Sequence, residues 1–108
     1  MEEDIISLKT AKLAKEKGFD IPCAKIHTTF WIPYLSPKYY APTQPLLQKW
    51  LRVEHNIHVY VVPNNTKRPE GNYEVCVYSN NEKLYYHFGF DTYEEALEKG
   101  LFEALKLI

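Results

Sequence analysis

At 108 residues, with 45% hydrophobic and 25% charged side chains, the chain has the size and composition of one globular α+β domain. A formal net charge of −1 excludes a generally basic nucleic-acid binder, and no apolar run approaches the roughly 20 residues that span a bilayer. Met1-Glu2-Glu3-Asp4 has neither the basic nor the apolar part of a secretion signal, so a cytoplasmic setting is expected.

Cys23 and Cys76 belong to no Cys-x-x-Cys pair, which argues for reduced, structural thiols rather than a disulfide framework or a zinc knuckle. No metal or other cofactor is expected. Nine Tyr, five Phe and two Trp must be buried together or form a contact surface. Charge is uneven: residues 1–69 carry a net +4 and residues 70–108 a net −5. This fits a solvated surface with charges suited to helix ends.

In chain order, Ser7 can cap a short helix whose narrow apolar face is Leu8, Ala11 and Ala14. Gly18 falls where a left-handed cap is wanted, Phe19 or Ile21 can fold back, and Pro22 stops the helix. Residues 24–42 suggest an irregular hairpin: Ile26 to Ile32 has strand composition, Pro33 and Pro37 bracket a turn, and Lys38-Tyr39-Tyr40 return. Its prolines place it at an edge, either extending the main sheet or crossing its open face.

A second helix is expected over 43–55, with Thr43 as N-cap, Pro45 in the first turn and Asn56 at the C-terminal end. Its stripe holds Leu46, Leu47, Trp50 and Leu51. The period then switches to two, giving strands over 57–62, 73–78 and 83–90. Residues 63–72 form a loop and Asn80-Asn81-Glu82 a tight hairpin turn. A last helix over 92–107 follows the capping box Asp91-Thr92-Tyr93-Glu94, with Asp91 as cap. Ala96, Leu97, Gly100, Leu101, Ala104 and Leu105 share one face.

The expected architecture is a single domain. A three-stranded antiparallel sheet with two helices on one face, in α-β-β-β-α order over 43–108, is preceded by the helix and hairpin of 1–42. Strand alternation puts Ile57, Val59, Val61, Tyr73, Val75, Val77, Leu84, Tyr86, Phe88 and Phe90 against the helices. His58, Tyr60, Val62, Glu74, Cys76, Tyr78, Lys83, Tyr85 and His87 go to the other face.

The helix–strand–strand–strand–helix order resembles the double-stranded RNA-binding domain over about 60% of the chain. That resemblance implies a basic cluster opening the last helix, where this chain has Asp91, Glu94, Glu95 and Glu98. It also implies a Gly-Pro-x-His type loop, where this chain has Asn64-Asn65-Thr66-Lys67-Arg68-Pro69. The fold can be shared without the function. Thr10 to Phe19, Pro42-Thr43-Gln44, Leu47 to Arg52 and Asp91 to Leu101 resemble a family of small uncharacterised proteins of gut bacteria and their phages. That likeness implies a cytoplasmic bacterial or phage setting and no activity.

Among candidate sites, His55 and His58 have metal-like spacing but straddle a helix end and a strand start, so they should point apart. Cys76 with His58 and His87 could pair a thiol and a base, yet no oxyanion-forming loop accompanies them. Acidic residues 91–98 read as macrodipole partners. The candidate contact surface is His58, Tyr60, Tyr78, Tyr85 and His87. The expected function is a non-enzymatic module that binds a protein partner or itself through that surface or through the 30–40 loop. The alternative is nucleic-acid binding, disfavoured because Lys83 is the one cation there and Glu74 partly offsets it.

Overall fold

The computed structural model describes residues 5–19, 21, 26–28, 38–63 and 72–108. The expected loop over 63–72, the 29–37 stretch that would cross the open face, and Cys23 lie largely or wholly outside them. The elements are α1 (Leu8–Glu16), β1 (Ile26–Thr28), β2 (Lys38–Tyr40), α2 (Gln44–His55), β3 (His58–Pro63), β4 (Tyr73–Ser79), β5 (Glu82–Phe90) and α3 (Tyr93–Lys106). β3, β4 and β5 form an antiparallel sheet in that order, and β1 and β2 form a separate two-stranded one. The N-terminal hairpin therefore does not extend the main sheet through its described strands.

Local chemistry sets the helix ends. The Ser7 hydroxyl accepts from Thr10 N, and the far end of α1 closes on Gly18 at φ +100°. There Gly18 N donates to Lys15 O at 3.1 Å and Phe19 N to Ala14 O at 2.9 Å, a complete Schellman pair. The chain turns so that Phe19 is buried edge-on against Trp50, ring centroids 5.3 Å apart. Thr43 caps α2 and Asn56 ends it in the left-handed region. α3 is capped by Thr92, whose hydroxyl accepts from Glu95 N at 3.1 Å, rather than by Asp91. The cap falls one residue later than the sequence reading, because threonine and aspartate both satisfy the pattern.

The core is one cluster drawn from every layer: Ile6, Ala11, Ala14 and Phe19; Leu47 and Leu51; Ile57, Val59, Val75 and Val77; and the α3 face Ala96, Leu97, Leu101, Ala104 and Leu105. Gly100 on that face is required by close approach. A Cβ there would meet Val59 Cγ1 at 2.8 Å and Val75 Cγ2 closer still. Polar side chains fasten the layers. Gln48 Nε2 donates to Val59 O at 2.7 Å, and buried Gln44 donates to Glu94 O at 2.9 Å. Glu98 on α3 accepts from the Thr10 hydroxyl, with Ser7 Oγ and Ser7 N at 3.2 and 3.4 Å, which ties α1 to α3. Ile6 N donates to Pro42 O at 3.0 Å, holding the segment before α1 beside the start of α2.

Candidate functional site

The Asn80-Asn81 turn, with φ of 53° and 64°, is a two-residue primed turn flanked by the pair Ser79↔Glu82. Tyr78 then pairs with Lys83, but Val77 pairs with Tyr85, so Leu84 is an extra residue in β5. A bulge of one residue flips every later side chain to the other face. Cys76 is opposite Tyr86 and Val75 opposite His87. A second irregularity between Tyr73 and Glu74, beside Gly89 at φ +94°, returns Phe90 to the helix side opposite Tyr73.

This corrects the expected contact surface. His58, Tyr60 and Tyr78 lie together on the outer face, as their strand positions require. Tyr85 and His87 do not join them, because their cross-strand partners Val77 and Val75 face the core. Tyr85 is partly buried against the core beside α3. Burial raises its phenol pKa above the ordinary value, with the Lys99 charge opposing and the Glu103 charge adding. Leu84, Tyr86 and Phe88, assigned inward by simple alternation, are exposed instead. The signal that could have exposed the error is the glycine at 89 inside an otherwise regular strand pattern, which marks irregular pairing.

The outer face is consequently more apolar than expected. Tyr60, Val62, Tyr86 and Phe88 are large side chains on it exposed by between 38% (Phe88) and 51% (Tyr60), and Leu84, the unpaired residue of the bulge, is 40% exposed. Cys76, central in the middle strand, is a half-buried free thiol between Tyr60 and Tyr86. Rings run across the face: His58 stacks on Tyr60 at 6.1 Å, Tyr60 meets Tyr78 edge-on at 5.9 Å, and Tyr86 lies 6.2 Å from Phe88. Lys83 Nζ sits 5.1 Å from the Tyr86 ring centre. Together the four side chains expose on the order of 300–400 Å², a patch size that on soluble proteins is often functional.

The other candidate groups separate. His55 packs on Trp50 at 4.7 Å, whereas His58 is turned to Asn56 and Tyr60, so the two do not converge. His87 is across the sheet from Cys76, which breaks up the thiol–base set. Among the described residues no group of three or more His, Cys, Asp or Glu is placed to hold a metal ion. Glu94 and Glu95 occupy the first turn of α3, where they suit its dipole, and Glu98 is engaged by Ser7 and Thr10. A cleft of about 630 Å³ between α1 and the starts of α2 and α3 has these groups in its wall.

Fold and face together define a small α+β domain with helices on one side of its sheet and an aromatic surface on the other. The chain matches no family model, no curated protein and no solved structure. No helix among the described residues is long and apolar enough to cross a membrane.

Proposed function

We propose that the protein is a non-enzymatic interaction module that binds a protein surface, a partner's or that of a second copy, through the outer face of β3–β5. The observation that carries this reading is the display of Tyr60, Val62, Tyr86 and Phe88 on one side of one sheet. Aromatic side chains bring large contact area at small entropic cost, and tyrosine is enriched where proteins meet. A rigid sheet fixed from behind by two helices presents such side chains already ordered, which lowers the cost of association.

The test is site-specific photocrosslinking in cells, with the photoreactive residue placed at Tyr86 and, as control, at Val53. Val53 is 65% exposed on α2, remote from the sheet's outer face. Discrete protein adducts from position 86, absent from position 53 and lost when Tyr60→Ser and Val62→Ser are added, are the expected result. No adduct at 86, or equal adducts at both positions, would overturn the proposal.

A further inference from the structure

At the turn end of the outer face, three asparagines are held with positive φ: Asn56 at 54°, Asn80 at 53° and Asn81 at 64°. Their carboxamides, with His58, Tyr60 and Tyr78, line a cleft of about 570 Å³ that no Lys, Arg, Asp or Glu enters among the described residues. Its polar groups are already oriented. Asn56 Nδ2 donates to Asn80 Oδ1 at 3.0 Å, which fixes the direction of the Asn56 amide. Asn56 Oδ1 therefore faces His58 Nε2 at 3.3 Å and must accept from it. In the neutral ring this leaves Nδ1 as an acceptor. Asn80 keeps its Nδ2 donors, and the Asn81 amide has no side-chain partner among the described residues.

We propose that this cleft binds a neutral saccharide, with a pyranose laid against the Tyr60 ring and its hydroxyls taken by Asn80, Asn81 and His58. Three features select that chemistry. The electron-rich face of an aromatic ring attracts polarised C–H groups, which one face of a pyranose supplies. A carboxamide donates and accepts at once, matching hydroxyls that do the same. Among the described residues the wall holds no guanidinium or ammonium, the groups that recognise phosphates and carboxylates, so nucleotides and acidic sugars are poor fits. The proposal goes beyond protein binding at the centre of the face, and the two share only Tyr60 and its immediate neighbours.

The turn itself offers a clean test. Glycine adopts the positive φ that Asn81 needs, so Asn81→Gly keeps the backbone and deletes only the carboxamide. The experiment titrates maltotetraose, cellotetraose and chitotetraose, up to tens of millimolar, into the isotopically labelled protein. The signals followed are the side-chain amides of Asn56, Asn80 and Asn81. At least one of the three sugars should shift those amides saturably and leave the Tyr86 and Phe88 signals in place. Asn81→Gly and Tyr60→Ala should each raise Kd about tenfold or more, while Tyr60→Phe stays within about threefold of wild type and Asn81→Gly retains its Tm. Any of three results would overturn the proposal: no saturable shift with any of these sugars, unchanged binding by Asn81→Gly, or tighter binding of adenosine monophosphate. Failure here with crosslinking retained at position 86 would leave the protein-binding reading intact.

Discussion

Replacing Gly100 by alanine sets two opposed effects against each other. In an exposed helix the change would stabilise by about 1 kcal/mol, because alanine restricts the unfolded chain. Here the new methyl would lie 2.8 Å from Val59 Cγ1 and closer still to Val75 Cγ2, where carbon atoms prefer about 3.5–4.0 Å. Both neighbours are β-branched, with little rotamer freedom to move aside, and both lie in paired strands of the sheet. Relief requires α3 to lift from the sheet by roughly 1 Å, overpacking at the upper end of its usual cost, about 2–3 kcal/mol. The steric clash outweighs the gain in helix propensity, for a net loss of about 1–2 kcal/mol. In thermal unfolding that is a fall in Tm of roughly 5–15 °C for a domain of this size. In the Gly100→Ala background, Val75→Ala should cost less than it does alone, with a coupling of at least about 0.5 kcal/mol. A Gly100→Ala protein as stable as wild type would refute the close approach of α3 to β3 and β4.

Further outcomes follow from single contacts. Thr92→Ala should cost about 1 kcal/mol by removing the cap of α3, whereas Asp91→Ala should stay within about 0.5 kcal/mol; the reverse order in chemical denaturation would restore Asp91 as cap. Tyr86→Ser on the outer face should change stability by no more than about 0.5 kcal/mol, and Tyr85→Ser, beside α3, should cost about 1–3 kcal/mol; equal losses would contradict the bulge at Leu84. Glu98→Leu should release α1, seen as faster amide exchange confined to residues 5–19, and uniform exchange across the domain would show that the Ser7–Thr10–Glu98 contacts do not hold it.

Acid sensitivity tests the ion pairs on α3. Burial would raise the Glu103 pKa, but hydrogen bonds from Lys99 and Lys106 outweigh it and set the carboxyl below its ordinary value. A depressed folded pKa means the unfolded chain binds that proton more tightly. The stabilisation is therefore present above the unfolded carboxylate pKa and is lost as pH falls through the folded one. Glu103→Gln should shallow the loss of Tm on acidification. Its cost at neutral pH should be about 0.5 kcal/mol or less, as for other pairs on helix surfaces. An unchanged acid limb would show that Glu103 contributes nothing to acid sensitivity.

Much of the fold is legible because local rules act alone. Ser7, Gly18, Thr43, Asn56 and the Asn80-Asn81 turn each meet a steric or capping demand within a few residues, and the α3 stripe needs only helical period. The site is harder to read for a physical reason. Period-two alternation propagates any register error along the whole strand, so one extra residue at Leu84 exchanges Tyr85 and His87 for Tyr86 and Phe88. His58, Tyr60 and Tyr78 lie on the two strands that the bulge does not shift, so alternation places them correctly. The Glu98 contacts to Ser7 and Thr10 join residues about ninety positions apart, which no local pattern reports.

The outward turn of β5 is most directly measured by side-chain nuclear Overhauser effects from its two adjacent tyrosines. Contacts from the Tyr86 ring to Cys76, together with contacts from the Tyr85 ring to Lys99, are the expected pattern. Tyr86 touching α3 while Tyr85 touches Cys76 would put the apolar set back in the core and take the interaction surface with it.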